Sequence, residues 1–349
     1  MSDFIIRPLH ANTIDFQVDI FNKAFNKNAT YKTWHCKHYE NPLIKKLGIC
    51  TVLGAYSGDL LVGIGAFMPV KYSIADKTIT AVQACDAAIR PEWQGKGLYT
   101  YINAYAEDYY KEHNIDVIFA FPYPDFGSYF CFKKLGWEDI CTVSTAFIPV
   151  NLANILKSRL HIPMPSLVNI FAKKHLKVAN KVHKKFPDYI CTEQKHPPEY
   201  TKQYISKKVI PYYEKDYLSW KLIDKNIRYI TVSQNGKTAG IFIVNCSNDA
   251  YIMAEFISSD SDDEYLTILA LLVKYLSAKC DSIKVWTNDI ENTDNSVYSK
   301  CGFITKSRKN SYHFMRKVLT DDTEKKDILL KKDIWKPQQY DMDNNVRLF

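Results

Sequence analysis

Apolar residues recur along this 349-residue chain with two spacings, one typical of strands and one typical of helices. Apolar runs at 49–55 and 60–68 flank Ser57-Gly58-Asp59, which predicts a hairpin. From Leu98 onward, apolar residues three or four positions apart predict a helix. Residues 1–150 are thus expected to follow the order strand, helix, antiparallel meander, strand, helix, strand, helix and strand. This order predicts an α/β fold of mixed, α+β type, with a mostly antiparallel twisted sheet flanked by helices.

Part of this order recurs in the second half of the chain. The stretch Tyr217-Leu-Ser-Trp-Lys-Leu222 parallels Thr33-Trp-His-Cys-Lys-His38, and a hairpin with Asn235-Gly236 at its turn follows it. The chain between the two copies differs, because lysines dominate its polar positions. We expect a first domain at 1–150, a basic helical linker at 151–213 and a second, similar domain with a C-terminal tail at 214–349.

The most specific local feature is Gln94-Gly95-Lys96-Gly97, which joins the apolar run 84–89 to the helix that begins at Leu98. Two glycines allow a tight turn, and the first N–H groups of a helix have no internal partners. Such a loop suits a phosphate group, to which Lys96 adds a positive charge. The spacing of the glycines is wrong for a P-loop and for a dinucleotide-binding loop. A tight turn that binds no ligand is the alternative.

This loop resembles the acetyl-CoA signature of the GNAT N-acetyltransferase superfamily, Gln/Arg-x-x-Gly-x-Gly/Ala, with Gln94 and Gly97 in register. Tyr99 departs from the signature, because its last position is usually Gly or Ala. Downstream, Phe130-Cys-Phe-Lys-Lys-Leu-Gly-Trp137 resembles the Tyr-x-Lys-x-Gly-Phe motif that closes the domain in this superfamily. The resemblance implies acetyl-CoA as co-substrate, held by Ala88, Ile89, Gln94, Gly95, Lys96, Gly97, Leu98 and Tyr99.

The second half carries the closing motif, as Tyr298-Ser-Lys-Cys-Gly-Phe303, but lacks the glycine loop. Ser258-Ser-Asp-Ser-Asp-Asp-Glu264 stands in its place, and its carboxylates would repel a pyrophosphate. We therefore expect two GNAT-like lobes, of which the first binds the cofactor and the second is degenerate.

Asp86 is the candidate general base, because it is the only carboxylate on the strand before the loop. The positions that the superfamily often uses for this base fall on Gln83 and Cys85, which are poor bases. A buried carboxylate with a raised pKa would suit the task. Against this role, Asp86 points to the wrong face relative to Gln83 unless a bulge intervenes. A structural, hydrogen-bonded Asp is the alternative.

Tyr129 is the candidate acid that protonates the leaving thiolate, since the superfamily's tyrosine is replaced by Phe132, one helical turn away. Packing is the alternative role for Tyr129. Cys85 and Cys131 suggest a covalent route, but no histidine lies near either in sequence, so direct transfer is expected. Nine cysteines occur singly without Cys-x-x-Cys pairs, so we expect neither a metal site nor a disulfide framework.

The net charge of +8 is concentrated in the middle of the chain. A helix over 166–186 is predicted to carry apolar residues on one face and lysines on the other. This pattern fits a membrane-surface or nucleic-acid-binding helix, but a solvated interdomain helix is favoured because no Trp lies at the apolar edge. No stretch approaches the length of a membrane span and no signal peptide is recognised, which favours a cytoplasmic location without nucleic-acid partners.

The expected activity is transfer of an acetyl group from acetyl-CoA to the primary amine of a small molecule, for which an amino sugar is one class. Two alternatives stay open. One is an aminoacyl or other acyl transferase, as in the tandem Fem ligases of peptidoglycan. The other is a non-catalytic acyl-CoA-binding module. The oligomeric state is not indicated by the sequence.

Overall fold

The computed structural model describes residues 4–74, 77–198, 209–211, 214–222, 226–257, 261–289, 296–305 and 311–341. Within these ranges, no helix is both long and apolar enough to cross a membrane. The strands are β1 (Phe4–Pro8), β2 (Val52–Ser57), β3 (Leu60–Ile74), β4 (Lys77–Ile89), β5 (Val117–Ala120), β6 (Glu138–Pro149), β7 (Tyr189–Gln194), β8 (Ile210–Pro211), β9 (Ile227–Gln234), β10 (Lys237–Cys246), β11 (Asp249–Ile257), β12 (Ser282–Asn288), β13 (Ile304–Thr305) and β14 (Tyr312–Val318).

Helices surround these strands. They are α1 (Ile14–Phe25), α2 (Tyr31–Tyr39), α3 (Pro42–Leu47), α4 (Leu98–Glu112), α5 (Gly127–Lys134), α6 (Leu152–Leu160), α7 (Ile170–Lys173), α8 (Lys177–Lys185), α9 (Lys215–Lys221), α10 (Asp262–Leu276), α11 (Val297–Cys301) and α12 (Thr323–Leu329). The predicted hairpin before residue 68 and the helix from Leu98 are both present. The mixed α/β class expected from the sequence is therefore confirmed.

The two halves repeat one arrangement of strands. In the first, β1 to β4 form an antiparallel meander, and α4 then leads to β5, which pairs with β4 in parallel. In the second, β9, β10 and β11 are antiparallel, and α10 leads to β12, which pairs with β11 in parallel. The hairpin turn at Asn235-Gly236 is as predicted, with both residues at positive φ.

The described strands form one continuous sheet, because each half completes the other. The order is β1-β2-β3-β4-β5-β14-β6-β12-β11-β10-β9-β7, with β13 paired to β6 and β8 to β3. The last long strand of the second half, β14, lies between β5 and β6 of the first half. In turn, β6 pairs with β12. The domain limits at 150 and 213 stay predictions. Strands from both predicted domains belong to the same sheet, so the sheet itself does not separate the domains.

A β-bulge interrupts the pairing of β4 with β3 near the C-terminal end of β4. Ala88 pairs with Ile64 and Cys85 pairs with Ala66, so β4 has one more residue than β3 in this interval. Asp86 lies in the bulge at φ 35°, a left-handed conformation. The bulge removes the objection that Asp86 faces the wrong side of the strand.

The single amphipathic helix predicted at 166–186 is wrong. A 3₁₀ turn at Ser166–Asn169 precedes α7, and a second at Lys174–Leu176 separates α7 from α8. Because the turns rotate the two helices, the apolar face is also divided. Val178 and Val182 of α8 pack against the core of the second half, whereas Leu167 and Phe171 stay exposed.

Candidate active site

A cavity of about 850 Å³ opens where β4 and β5 separate. The two strands pair only from Ala81 and Val117 to Gln83 and Phe119, and no later pair is found within the described residues. Beyond Gln83, the cavity is lined by β4 on one side and by the end of β5 and α5 on the other. Residues of β4 past Gln83 therefore offer a free strand edge to a ligand, in the way that a neighbouring strand would be bound.

The glycine loop closes one end of this cavity. Gln94 turns back and donates from Nε2 to the carbonyl oxygen of Ile89 at 3.1 Å, which ties the loop to the end of β4. Gly95 and Gly97 both lie at φ 76°, where a side chain would be strained. The amide of Thr100 bonds to the carbonyl of Gly97 at 2.9 Å and begins the helical bonding. The amides before it point out at the positive end of α4.

Most of the residues predicted to hold the cofactor reach the cavity. Those that line it are Ile89, Gln94, Gly95, Gly97, Leu98 and Tyr99. Ala88 does not line it, because this residue is buried against β3, and Ala87 of the bulge lines the wall instead. Lys96 is not part of the lining either, and its ammonium lies 4.3 Å from the centre of the Trp93 ring. Lys27 and Lys134 bring positive charge to the wall instead.

These features fit a cofactor that carries both phosphates and amides. The outward amides at the start of α4 suit a pyrophosphate, and the free edge of β4 suits a chain with amide groups. Among the lining residues that the structure describes, Asp86 is the only carboxylate, and it lies on the strand rather than in the loop. The loop therefore presents positive potential to an anion.

Asp86 is held by two buried residues of α2. Its Oδ2 contacts the ammonium of Lys37 and lies 3.0 Å from Nε2 of His38. Burial by itself would raise the pKa of Asp86, but the charge of Lys37 and the hydrogen bond from His38 outweigh it and lower that pKa well below its ordinary value. A general base would need a raised pKa, so the ion pair and the hydrogen bond favour the structural role of Asp86. Asp86 is a permanent carboxylate at neutral pH.

Cys85 lies beside this group, also on the cavity wall. One ligand atom from each of His38, Cys85 and Asp86 lies within 4.8 Å of the others. The fold thus brings a histidine to Cys85 although none is near it in sequence. We assign no metal site to these residues, because the ammonium of Lys37 already occupies the Asp86 carboxylate and would oppose a cation.

Sequence reasoning missed Lys37 and His38, although one signal for them exists. The parallel stretch of the second half places Lys221 at the position of Lys37. Both lysines are buried, at 1% and 0% exposure, which is rare for this residue type. A lysine repeated at the same place in the two parallel stretches therefore marks a buried charge in each half.

Tyr129 does not reach the cavity. Its hydroxyl donates to Oδ2 of Asp139 at 2.8 Å, and its ring contacts that of His313. Burial and the Asp139 carboxylate both raise its pKa. Its neighbours Ser128, Phe130 and Cys131 line the cavity instead. This geometry favours the packing role for Tyr129 over the acid role.

In the second half, the corresponding opening lies between β11 and β12, and residues near the C-terminal end of the described chain fill it. Beyond the pairing of Ile252 with Val285, the amide of Glu255 in β11 donates to the side-chain oxygen of Gln338 at 2.8 Å. Lys336 reaches the Glu255 carboxylate at 3.0 Å. Helix α10 corresponds to α4, which begins directly after the glycine loop. The first turn of α10 instead carries three acidic residues, Asp262, Asp263 and Glu264. Residues 258–260 of the acidic stretch lie outside the described residues.

Comparison with known proteins agrees with this geometry. A family model for the acetyltransferase (GNAT) domain matches residues 5–140. No protein with a curated description matches the sequence. A probable N-acyltransferase from Enterococcus faecalis V583 has a similar structure, with a TM-score of 0.59 and 11% identity over 91% of this chain and 72% of its own.

Two further structures cover both halves. A GCN5-related N-acetyltransferase from Kribbella flavida has a TM-score of 0.57 and 11% identity, over 90% of this chain and 71% of its own. The N-myristoyltransferase of Saccharomyces cerevisiae with bound myristoyl-CoA has a TM-score of 0.50 and 12% identity, over 90% of this chain and 80% of its own. At these identities the likeness shows the fold. Residues 5–140 match the acetyltransferase (GNAT) domain, and most of the chain shares its fold with these acyltransferase structures.

Proposed function

We propose that the protein transfers an acetyl group from acetyl-CoA to the primary amine of a small molecule. The observation that carries this proposal is the cavity in which the glycine loop at the start of α4 meets the free edge of β4. The loop amides bind the phosphates, and the backbone at Ala87 and Ile89 binds the amide-bearing arm. Acetyl-CoA supplies an activated thioester carbonyl when it is bound.

A short acyl group fits this site better than a long one. The yeast relative binds myristoyl-CoA, so the fold itself does not fix the length of the acyl chain. In this chain the carboxylate of Asp86 stands on the cavity wall at the bulge of β4, just before the strand residues that bind the arm. A long apolar chain would have to displace water from this carboxylate without replacing its hydrogen bonds, which is unfavourable.

The residues support direct transfer. The amine nitrogen attacks the thioester carbon, the new C–N bond replaces the C–S bond, CoA leaves as a thiolate and one proton leaves the nitrogen. Since Asp86 has a lowered pKa, it is a weak base at neutral pH. We propose that Asp86, already paired with Lys37, fixes the bulge of β4. The acceptor's ammonium first loses a proton to solvent, so the neutral amine attacks, and the proton lost after attack also passes to solvent through the open cavity.

Gly97→Asp is expected to weaken acetyl-CoA binding at least about a hundredfold, because it places a carboxylate where the pyrophosphate lies. Isothermal titration calorimetry measures this change. Gly236→Asp is the matched control, since Gly236 has the same φ of 76° in an exposed turn with open space around it. Equal affinities of Gly97→Asp and Gly236→Asp would refute the cofactor site. Binding without CoA release on a panel of amines would favour a non-catalytic module instead.

Cys85→Ala is expected to keep kcat within about a factor of three of wild type, because no acyl-cysteine forms in direct transfer. Initial rates at varied concentrations of both substrates measure this, and they should give intersecting rather than parallel double-reciprocal lines. A loss of a thousandfold, together with an acetylated Cys85 peptide in the mass spectrum of the wild type, would refute direct transfer.

A further inference from the structure

The chain between α6 and α7 exposes apolar side chains that nothing in the described structure covers. They lie close together in sequence, and each is more than half exposed: Leu160 at 51%, Ile162 at 56%, Leu167 at 71%, Ile170 at 57% and Phe171 at 68%. Single exposed apolar residues are ordinary on a protein surface, but five large ones within twelve positions are not.

The backbone explains why these side chains point outward together. Leu167, Ile170 and Phe171 are spaced three and four residues apart across the 3₁₀ turn and α7, so they share one face. The opposite face is anchored, because Ala172 is only 1% exposed. The backbone amide of Ala153 also donates to Oδ1 of Asn169 at 2.9 Å. The apolar face is thus held outward by an ordered attachment.

Positive charge is concentrated in the segment that carries this face. Between Ile140 and Pro187 the chain has no Asp or Glu, but it has eight basic residues: Lys157, Arg159, Lys173, Lys174, Lys177, Lys181, Lys184 and Lys185. The remainder of the chain then holds 38 basic and 38 acidic residues, so this segment accounts for the whole net charge of +8. The eight basic side chains are exposed.

We propose that the surface formed by residues 157–185 docks the protein onto an anionic phospholipid surface. The five apolar side chains enter the boundary between headgroups and acyl chains, and the lysines around them bind lipid phosphates. Four of the five apolar side chains are aliphatic, which favours a lipid over a nucleic acid, because a nucleic acid stacks on aromatic and arginine side chains. The absence of acidic residues favours a lipid surface over a protein of mixed charge. The protein lies on the bilayer and does not span it.

Vesicle flotation of the full-length protein tests this docking. We expect binding to phosphatidylglycerol/phosphatidylcholine vesicles at least about tenfold stronger than to phosphatidylcholine alone, weakening as salt is raised. Leu167→Ser/Ile170→Ser/Phe171→Ser should lower binding about tenfold or more. Lys173→Glu/Lys174→Glu should do the same, because each lysine near such a surface strengthens binding by roughly fivefold.

Ile5→Ser/Phe16→Ser is the matched control, because it removes exposed apolar side chains of similar size from the other end of the chain. It should bind vesicles like wild type, and unchanged thermal unfolding in each variant shows that the fold is intact. Equal binding of all three variants, or no binding of wild type to anionic vesicles, would overturn the proposal. So would concentration-dependent dimers that only the triple-serine variant abolishes, or RNA binding that outcompetes the vesicles.

Discussion

A chain truncated after Thr305 is expected to lose cooperative folding, although it keeps every residue of the glycine loop. The truncation removes β14, which fills the sheet between β5 and β6. Phe314 and Met315 of this strand are 3% and 0% exposed. Loss of each such side chain costs about 3–5 kcal/mol. Together these losses approach the entire stability of a typical protein, about 5–15 kcal/mol. Thermal unfolding followed by circular dichroism measures the result.

A point variant separates the loss of β14 from the change in length. Met315→Asp keeps the full chain but buries a carboxylate in the same strand, so it should also fail to fold cooperatively. Lys326→Asp introduces the same carboxylate on the exposed side of α12 and should unfold like wild type. A cooperative transition at the wild-type temperature in the truncated chain would show that the sheet folds without β14, contrary to the strand exchange.

Asp86→Asn is expected to destabilise the protein by about 3–5 kcal/mol, because it leaves the buried ammonium of Lys37 without its carboxylate. The acetyl-transfer rate should fall as well, since the bulge on the cavity wall loses the ion pair that fixes it. Denaturant unfolding measures the free energy. Lys37→Met/Asp86→Asn is the control, and it should recover most of the stability because both charges are gone.

The pH dependence of this loss tests the state of Asp86. A carboxyl group whose pKa is lowered in the folded state stabilises the fold above the pKa of the unfolded chain, and that contribution disappears only as pH falls toward the folded pKa. Since the pKa of Asp86 is lowered, the difference between wild type and Asp86→Asn should be as large at pH 5 as at pH 8. A difference that shrinks at pH 5 would indicate a raised pKa and restore the general-base role.

The parts of the fold that depend on residues close together in sequence could be predicted. The hairpin at Asn235-Gly236 and the helix from Leu98 follow from turn chemistry and apolar spacing. The exchange of β6 and β14 could not be predicted, because Met315 pairs with Ala120 across most of the chain. Apolar patterns show that a strand is buried, but they do not name its neighbour.

The candidate site divides in the same way. The loop from Gln94 to Gly97 is formed by residues adjacent in sequence. Its two glycines and the helical pattern that begins at Leu98 were enough to predict its position and its tight turn. The direction of the pKa shift of Asp86 could not be predicted, because Lys37 and His38 reach it from a helix that is remote in sequence. Burial and a buried counter-charge shift a carboxyl pKa in opposite directions, and only the fold shows which is larger.

A crystal structure of the protein with acetyl-CoA is the most direct test of a single acyl-CoA site in the first half. We expect one molecule per chain, with its pyrophosphate on the amides at the start of α4 and its arm along the free edge of β4 between Ala87 and Ile89. The opening beside β11 should still hold Lys336 and Gln338. A cofactor bound beside β11, or a glycine loop without phosphates at saturating acetyl-CoA, would contradict this.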